Sequence, residues 1–173
     1  LAHERREDGG NHEPQEHVMH YIGLSSCDTA NGPGVRVSLF VSGCTLQCKG
    51  CFNPESWDFD AGKPFTEETV ETIFRYLDEP YVAGLSILGG DPLEESNIPV
   101  VTDLARRVKE RYGTKRDVWL WTGRIYDKYA DLPLWQWVDT VVDGPFVEKR
   151  KVTQKGLWYG SDNQRVIPIH AAD

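Results

Sequence analysis

The stretch Val35-Arg36-Val37-Ser38-Leu39-Phe40-Val41-Ser42-Gly43-Cys44-Thr45-Leu46-Gln47-Cys48-Lys49-Gly50-Cys51 decides how the rest of the chain is read. Its first seven residues are rich in β-branched and aromatic side chains and read as a buried strand. The residues that follow place three of the chain's four cysteines within eight positions, with gaps of three and two. A strand running straight into such a loop puts the thiols at its carboxyl end, where α/β sheets usually bind ligands. Thiolates are soft donors that select Zn²⁺, Cu(I) or iron–sulfur clusters. Three are one short of a closed four-ligand set. Either a fourth ligand comes from elsewhere, or one corner is left open for chemistry.

Further strands are expected over residues 84–88, 117–121 and 137–142, with a last extended piece over 166–169. Between them, Thr66 is positioned to cap a helix with Glu67 and Glu68 in its first turn. Val70, Ile73, Phe74 and Leu77 recur there at helical spacing until Pro80. Asn97 is a second candidate cap, before an apolar face of Val100, Val101, Leu104, Ala105 and Val108, and Gly113 is a good terminator. Residues around Tyr126 and Tyr129 form a weaker helical stretch. The segment from Met19 to Asn31-Gly32-Pro33-Gly34 reads as polar and turn-rich. Strands alternating with helices predict an α/β fold, with a mainly parallel sheet and flanking helices. Four or five strands are too few to close a full (βα) barrel, which takes ~200 residues or more. Gly43-Cys44, Gly89-Gly90-Asp91, Thr122-Gly123 and Asp143-Gly144 all fall where strands stop. In a parallel sheet those ends lie along one edge, and a single site there is the economical reading.

At 173 residues the chain is the size of one domain. Its net charge of −8 argues against nucleic acid as a partner, because phosphate binding needs a basic face. No apolar run approaches the ~20 residues of a membrane span. Clustered cysteines differ from a secreted disulfide framework and point to the reducing cytoplasm. Residues 1–18 carry five acidic residues, two arginines and His3, His12 and His17. They read as a disordered or non-native leader rather than a metal site, with Met19, the only methionine, opening a single domain over 19–173.

Three accounts of the thiols compete. Spacing i, i+4, i+7 is also one helical face, but Gly43, Gly50 and Pro54 oppose a helix there. Structural zinc would need Cys27 as a fourth ligand, and Cys27 is a lone thiol rather than half of a second knuckle. A four-iron, four-sulfur cluster held by three thiolates leaves one iron free to bind a small molecule with amino and carboxylate groups.

Cys44-x-x-x-Cys48-x-x-Cys51 followed by Phe52 resembles the cluster loop of radical S-adenosylmethionine enzymes, and Gly89-Gly90-Asp91 resembles that family's glycine-rich strand end. Asn31-Gly32-Pro33-Gly34, Ser42-Gly43-Cys44, Cys51-Phe52-Asn53, Gly89-Gly90-Asp91-Pro92-Leu93 and Trp121-Thr122-Gly123 occur in order, followed by Asp143-Gly144-Pro145-Phe146 and Gly160-Ser161-x-Asn163-Gln164. The ordered set is similar to activating proteins of the anaerobic (class III) ribonucleoside-triphosphate reductase, and covers Tyr21 to Ile169. The resemblance implies a truncated partial (βα) barrel with a [4Fe-4S] cluster on Cys44, Cys48 and Cys51. It implies S-adenosylmethionine lying against Gly50, Cys51 and Phe52, with its methionyl end at Gly89, Gly90 and Asp91. Trp121, Thr122 and Gly123 are candidates for the adenosine side. It further implies the reductase as protein substrate, a flavodoxin-like electron donor, a glycyl radical as product, and no catalytic acid or base. Rival readings are another small radical enzyme acting on a small molecule, such as a deazapurine precursor, and a non-catalytic zinc module.

Overall fold

The computed structural model describes residues 17–170; the reading of His3 and His12 lies outside them. Seven strands form one sheet: β1 (His20–Asp28), β2 (Val35–Val41), β3 (Lys63–Pro64), β4 (Val82–Gly89), β5 (Asp117–Trp121), β6 (Thr140–Asp143) and β7 (Arg165–Pro168). Their order across the sheet is β3-β1-β2-β4-β5-β6-β7. The central run β2-β4-β5-β6 is parallel, whereas β3-β1, β1-β2 and β6-β7 pair antiparallel. The fold is therefore α/β with the expected parallel sheet at its centre, and it is mixed overall because reversed strands finish both flanks.

Strand β1 corrects the turn-rich reading of residues 20–28. Gly23, Ser25 and Ser26 conceal its pattern, and pairing along most of β2 is what extends it. Two other expectations shift. The strand predicted over 137–142 begins only at Thr140, because residues 133–136 wind into a 3₁₀ turn that Trp137 closes. The weaker helical stretch is a single 3₁₀ turn over Tyr126–Lys128.

Helices α1 (Glu67–Leu77) and α2 (Ile98–Tyr112) follow the predicted periodicities. Val70, Ile73 and Leu77 of α1, with Val101, Leu104, Ala105 and Val108 of α2, are buried. The Thr66 N–H donates to Thr69 Oγ1 at 3.1 Å at the start of α1. Both helices pack on strands of the parallel centre, against Val37, Leu39, Val41, Leu85, Ile87, Val118 and Leu120, which form one core with them and with Met19. Strand residues alternate faces, so Arg36, Ser38, Phe40, Ser86, Leu88, Trp119 and Trp121 point the other way.

That second face is anchored by Arg36, whose side chain has 0 % exposure. Its Nε donates to Ser86 Oγ at 2.6 Å, Nη2 to the Leu85 carbonyl at 3.0 Å and Nη1 to the Pro33 carbonyl at 3.0 Å. Nη2 also lies 2.8 Å from Asp117 Oδ1. Ser86 in turn donates to the Asn31 carbonyl at 2.6 Å, so the Asn31–Gly34 turn is tied down onto β4. Gly32 has φ +106°, and a Cβ there would come within 2.8 Å of the Arg36 side chain; the turn needs glycine both for conformation and for space. No helix among the described residues is long and apolar enough to cross a membrane.

Candidate functional site

On the face away from the helices lies a cavity of about 800 Å³. Its lining brings together Cys44, Cys48, Cys51, Phe52, Gly89, Gly90, Asp91, Trp121, Thr122 and Gly123, all expected to share one site. Gly50, expected among them, is not on the cavity wall. It is exposed, with φ +75°. Thr29–Asn31, on the turn that Arg36 secures, and residues 154–160 supply further wall. Residues 152–160 form a strap. Its neck is closed by the bridge between Lys151 and Ser161 and by the bond from Val152 N to the Gly160 carbonyl, 3.0 Å. Trp121 Nε1 donates to the Trp158 carbonyl at 2.7 Å and pins the strap to β5.

The cysteine loop leaves β2 through main-chain bonds to three neighbours. Gly43 N donates to the Ser56 carbonyl at 2.7 Å, Cys44 N to the Trp57 carbonyl at 3.2 Å, and Asp91 N to the Gly43 carbonyl at 2.8 Å. Gly90 packs so closely that a Cβ would fall 2.5 Å from the Gly43 carbonyl oxygen. Its glycine is required by the approach of another backbone, not by ligand access alone. Asn97, expected to cap α2, makes no cap bond. Its Nδ2 donates instead to the Ser42 and Asp91 carbonyls, at 2.9 and 3.1 Å.

Asp91, expected beside the methionyl end of the cofactor, is only 1 % exposed, and its carboxylate is already engaged. It accepts from Leu93 N at 2.8 Å, Thr122 Oγ1 at 2.8 Å and Gly123 N at 2.9 Å. Arg124 Nη1 lies 3.1 Å from its Oδ2, a charge contact without a well-directed hydrogen bond. Burial pushes the Asp91 carboxyl up from its ordinary value, while Arg124 and these donors pull the other way. Burial likewise opposes ionisation of Glu94, but Thr45 and Arg124 overcome it and hold that carboxyl below its ordinary value.

Two groups that sequence reasoning passed over, Glu94 and Arg124, are thus bound into the site. They lie 49 and 79 positions from Thr45 in the chain, and no local pattern marks them. Asn163 and Gln164 hydrogen-bond to neighbouring backbone, and Gln164 also lines the cavity. Gln164 Oε1 accepts from Gly160 N at 2.8 Å while its Nε2 donates to the Gly144 carbonyl at 2.8 Å. Asn163 Nδ2 donates to the Pro145 carbonyl, also at 2.8 Å.

The donor set fits an iron–sulfur group. All four cysteines are free thiols, and Cys27 is exposed on β1, outside the cavity lining. That lining contains no histidine and a single carboxylate, Asp91, so three thiols are its only uncommitted strong ligands. Among the described residues no three histidine, cysteine or carboxylate side chains converge as a single-ion site. Burial pushes the Cys44 thiol up, the Leu46 and Gln47 N–H groups pull it partly back, and the Asp91 and Glu94 carboxylates add to the rise. A metal cation reverses that balance and deprotonates a coordinating thiol.

Comparison with known proteins defines the class first. Residues 30–167 match the family model of the 4Fe-4S single cluster domain. The chain is 43 % identical over 148 residues to the anaerobic ribonucleoside-triphosphate reductase-activating protein of Enterobacteria phage T4, covering 86 % of this chain and 93 % of that one. The protein of the same name from Vibrio cholerae is 40 % identical over 151 residues, covering 84 % and 96 %. That from Escherichia coli is 37 % identical over 152 residues, covering 86 % and 97 %. The chain belongs to the family of anaerobic ribonucleoside-triphosphate reductase-activating proteins.

Proposed function

We propose that the protein activates an anaerobic ribonucleoside-triphosphate reductase by installing a glycyl radical in it. The observation that carries this reading is one cavity lined at once by Cys44, Cys48 and Cys51, by the Gly89–Asp91 strand end and by Trp121–Gly123, in a chain of this family. Its volume, about 800 Å³, lies within the range of small-molecule and cofactor sites. A [4Fe-4S] cluster held by Cys44, Cys48 and Cys51 would supply the electron for reductive cleavage of S-adenosylmethionine, and the radical chemistry so provided would remove a hydrogen atom from a glycine Cα of the reductase.

The chain's own residues bind and orient. Cys44, Cys48 and Cys51 hold the cluster, and Cys27 takes no part. Phe52 and the Cys51 backbone flank the cofactor, and Gly89–Asp91 meet its methionyl end through main-chain groups, since the Asp91 carboxylate is occupied within the protein. Trp121–Gly123 border the adenosine side. No residue acts as acid or base, because a hydrogen atom rather than a proton moves. The uncovered face of the sheet behaves as a partial barrel that admits a protein segment. Reduction comes from a flavodoxin-like donor in the cytoplasm.

The test is anaerobic reconstitution followed by addition of reductant, S-adenosylmethionine and an anaerobic reductase. The expected result is about four irons per chain and a glycyl radical by electron paramagnetic resonance. Cys44→Ala, Cys48→Ala and Cys51→Ala each lose the cluster, and Cys27→Ala retains it. Stoichiometric zinc in place of iron, or iron loss in Cys27→Ala, overturns the assignment.

A further inference from the structure

We propose that Arg124 is a positioning residue that holds the Cys44 limb of the cysteine loop against the ends of β4 and β5, acting through Glu94. A single oxygen, Glu94 Oε1, accepts from Thr45 N at 2.7 Å, Thr45 Oγ1 at 2.8 Å and Arg124 Nη2 at 2.9 Å. Thr45 directly follows Cys44 in the chain, so this carboxylate grips the loop at its first thiol. The same Arg124 Nη2 lies 3.3 Å from Thr45 Oγ1, and Nη1 reaches Asp91.

Electrostatics makes the arginine the necessary member. The Asp91 and Glu94 side chains are 1 % and 8 % exposed, and the Arg124 side chain 14 %. Two largely buried carboxylates on one short turn repel each other unless a cation lies between them. A guanidinium presents a planar fork of donors that can meet both at once. The Asp91 end of the fork extends the restraint, since Asp91 holds Thr122 and Gly123. Arg124 therefore ties the first cysteine to the ends of β4 and β5.

Among the described residues, the other limb of the loop has no equivalent. Cys51 N donates to the Cys48 carbonyl at 3.1 Å, and Lys49 stands 4.0 Å from Glu148 with a 93 % exposed side chain. One thiol is thus clasped to the sheet through its neighbour, while the other two sit on a turn closed by its own main-chain bond. Building on the proposed function, the clasped thiol sets the position of the cluster relative to the Gly89–Asp91 edge, and so the fit of S-adenosylmethionine.

The experiment compares wild type with Arg124→Gln, Arg124→Lys and Glu94→Gln. In the metal-free protein, amide hydrogen exchange at Thr45 is expected to quicken about tenfold in Arg124→Gln. After reconstitution, iron content stays at the wild-type level, S-adenosylmethionine affinity falls about tenfold, and the cofactor-induced change in the resonance spectrum of the reduced cluster is altered. Arg124→Lys restores part of both, and a variant combining Arg124→Gln with Glu94→Gln is no worse than the weaker of those two alone. If Arg124→Gln does not fold, Glu94→Gln carries the same expectations, since it removes the charge that Arg124 pairs with and weakens the one acceptor that Thr45 and Arg124 share. Unchanged exchange at Thr45 together with unchanged affinity overturns the proposal. If wild type binds iron but no S-adenosylmethionine, the proposed function fails instead, and the exchange at Thr45 still decides the role of Arg124.

Discussion

The two faces of the sheet are built from the same strands, one residue out of step, yet they differ in almost every physical respect. Toward the helices point Val37, Leu39, Val41, Leu85, Ile87, Val118 and Leu120, each with 0 % exposure. Toward the cavity point a buried arginine, two serines and several large side chains that are not closed over by a second helical layer. Burial of apolar area holds the first face together. Hydrogen bonds and charge organise the second, where the Ser38 hydroxyl even lacks a partner among the described residues. The two sides are thus held together by different means, apolar packing on one and a polar network on the other, and only the second presents thiols and backbone to a cavity.

Arg36→Met strikes the polar face at its anchor. It leaves the Leu85 carbonyl, Ser86 and Asp117 without their partner, and the expected loss is ~3–5 kcal/mol by urea denaturation. A loss below ~1 kcal/mol would break the contrast by showing that this face contributes little to the fold. Ile87→Ala strikes the apolar face and is expected to cost ~2–5 kcal/mol. Cofactor affinity of the remaining folded protein, followed by equilibrium binding, is expected to stay at the wild-type value. Phe52→Ala sharpens the contrast from the cavity side. The residue is 57 % exposed and its ring lies tilted against Phe146 with centroids 4.8 Å apart, so stability changes by no more than ~0.5 kcal/mol. S-adenosylmethionine binding, measured on the same preparation, weakens roughly three- to tenfold.

The smallest effect belongs to the outer side of the helices and appears only in alkali. Burial raises the Tyr112 phenol from 10.0 to about 12, and its hydrogen bond to Asp78 adds to the rise. The hydroxyl donates to Asp78 Oδ1 at 2.6 Å, with the Phe74 carbonyl oxygen also within 3.0 Å. Because the folded value lies above the unfolded one, its contribution is complete below about pH 10 and is lost as pH rises through about 12. Tyr112→Phe is expected to remove the last phenol from an absorbance titration and to reduce the fall in urea midpoint across that window. An unchanged titration curve would contradict this assignment.

Much of the architecture is legible where the signal is local. The strand predicted over 35–41 is β2 residue for residue, and the one over 117–121 is β5. Both helices announce themselves by period and by flanking residues, although Asn97 turned out to bind the cysteine loop rather than cap its helix. What escapes the sequence is what depends on partners distant in the chain. Strand β1 becomes a strand because β2 lies beside it. Likewise, Glu94 and Arg124 acquire their place only when the ends of β4 and β5 meet the cysteine loop. The cysteines and glycines could be picked out as a group because each sits at a strand end; whether a side chain there faces the cavity or another backbone could not. Asp91 shows the difference, its acidic group being spent on Thr122, Gly123 and Arg124.

The close packing at Gly89 and Gly90 has a consequence for inheritance. A Cβ at Gly89 would fall 2.5 Å from Val41 N, and one at Gly90 the same distance from the Gly43 carbonyl oxygen. Neither obstacle is a side chain that could swing aside. Drift at these two positions is therefore blocked by the architecture itself, whatever the protein binds. A descendant that had lost its cluster would still be held to the glycine pair for as long as it kept these strand ends together. The pair marks the ancestry of the sheet, and it is silent on whether any chemistry at the neighbouring thiols has survived.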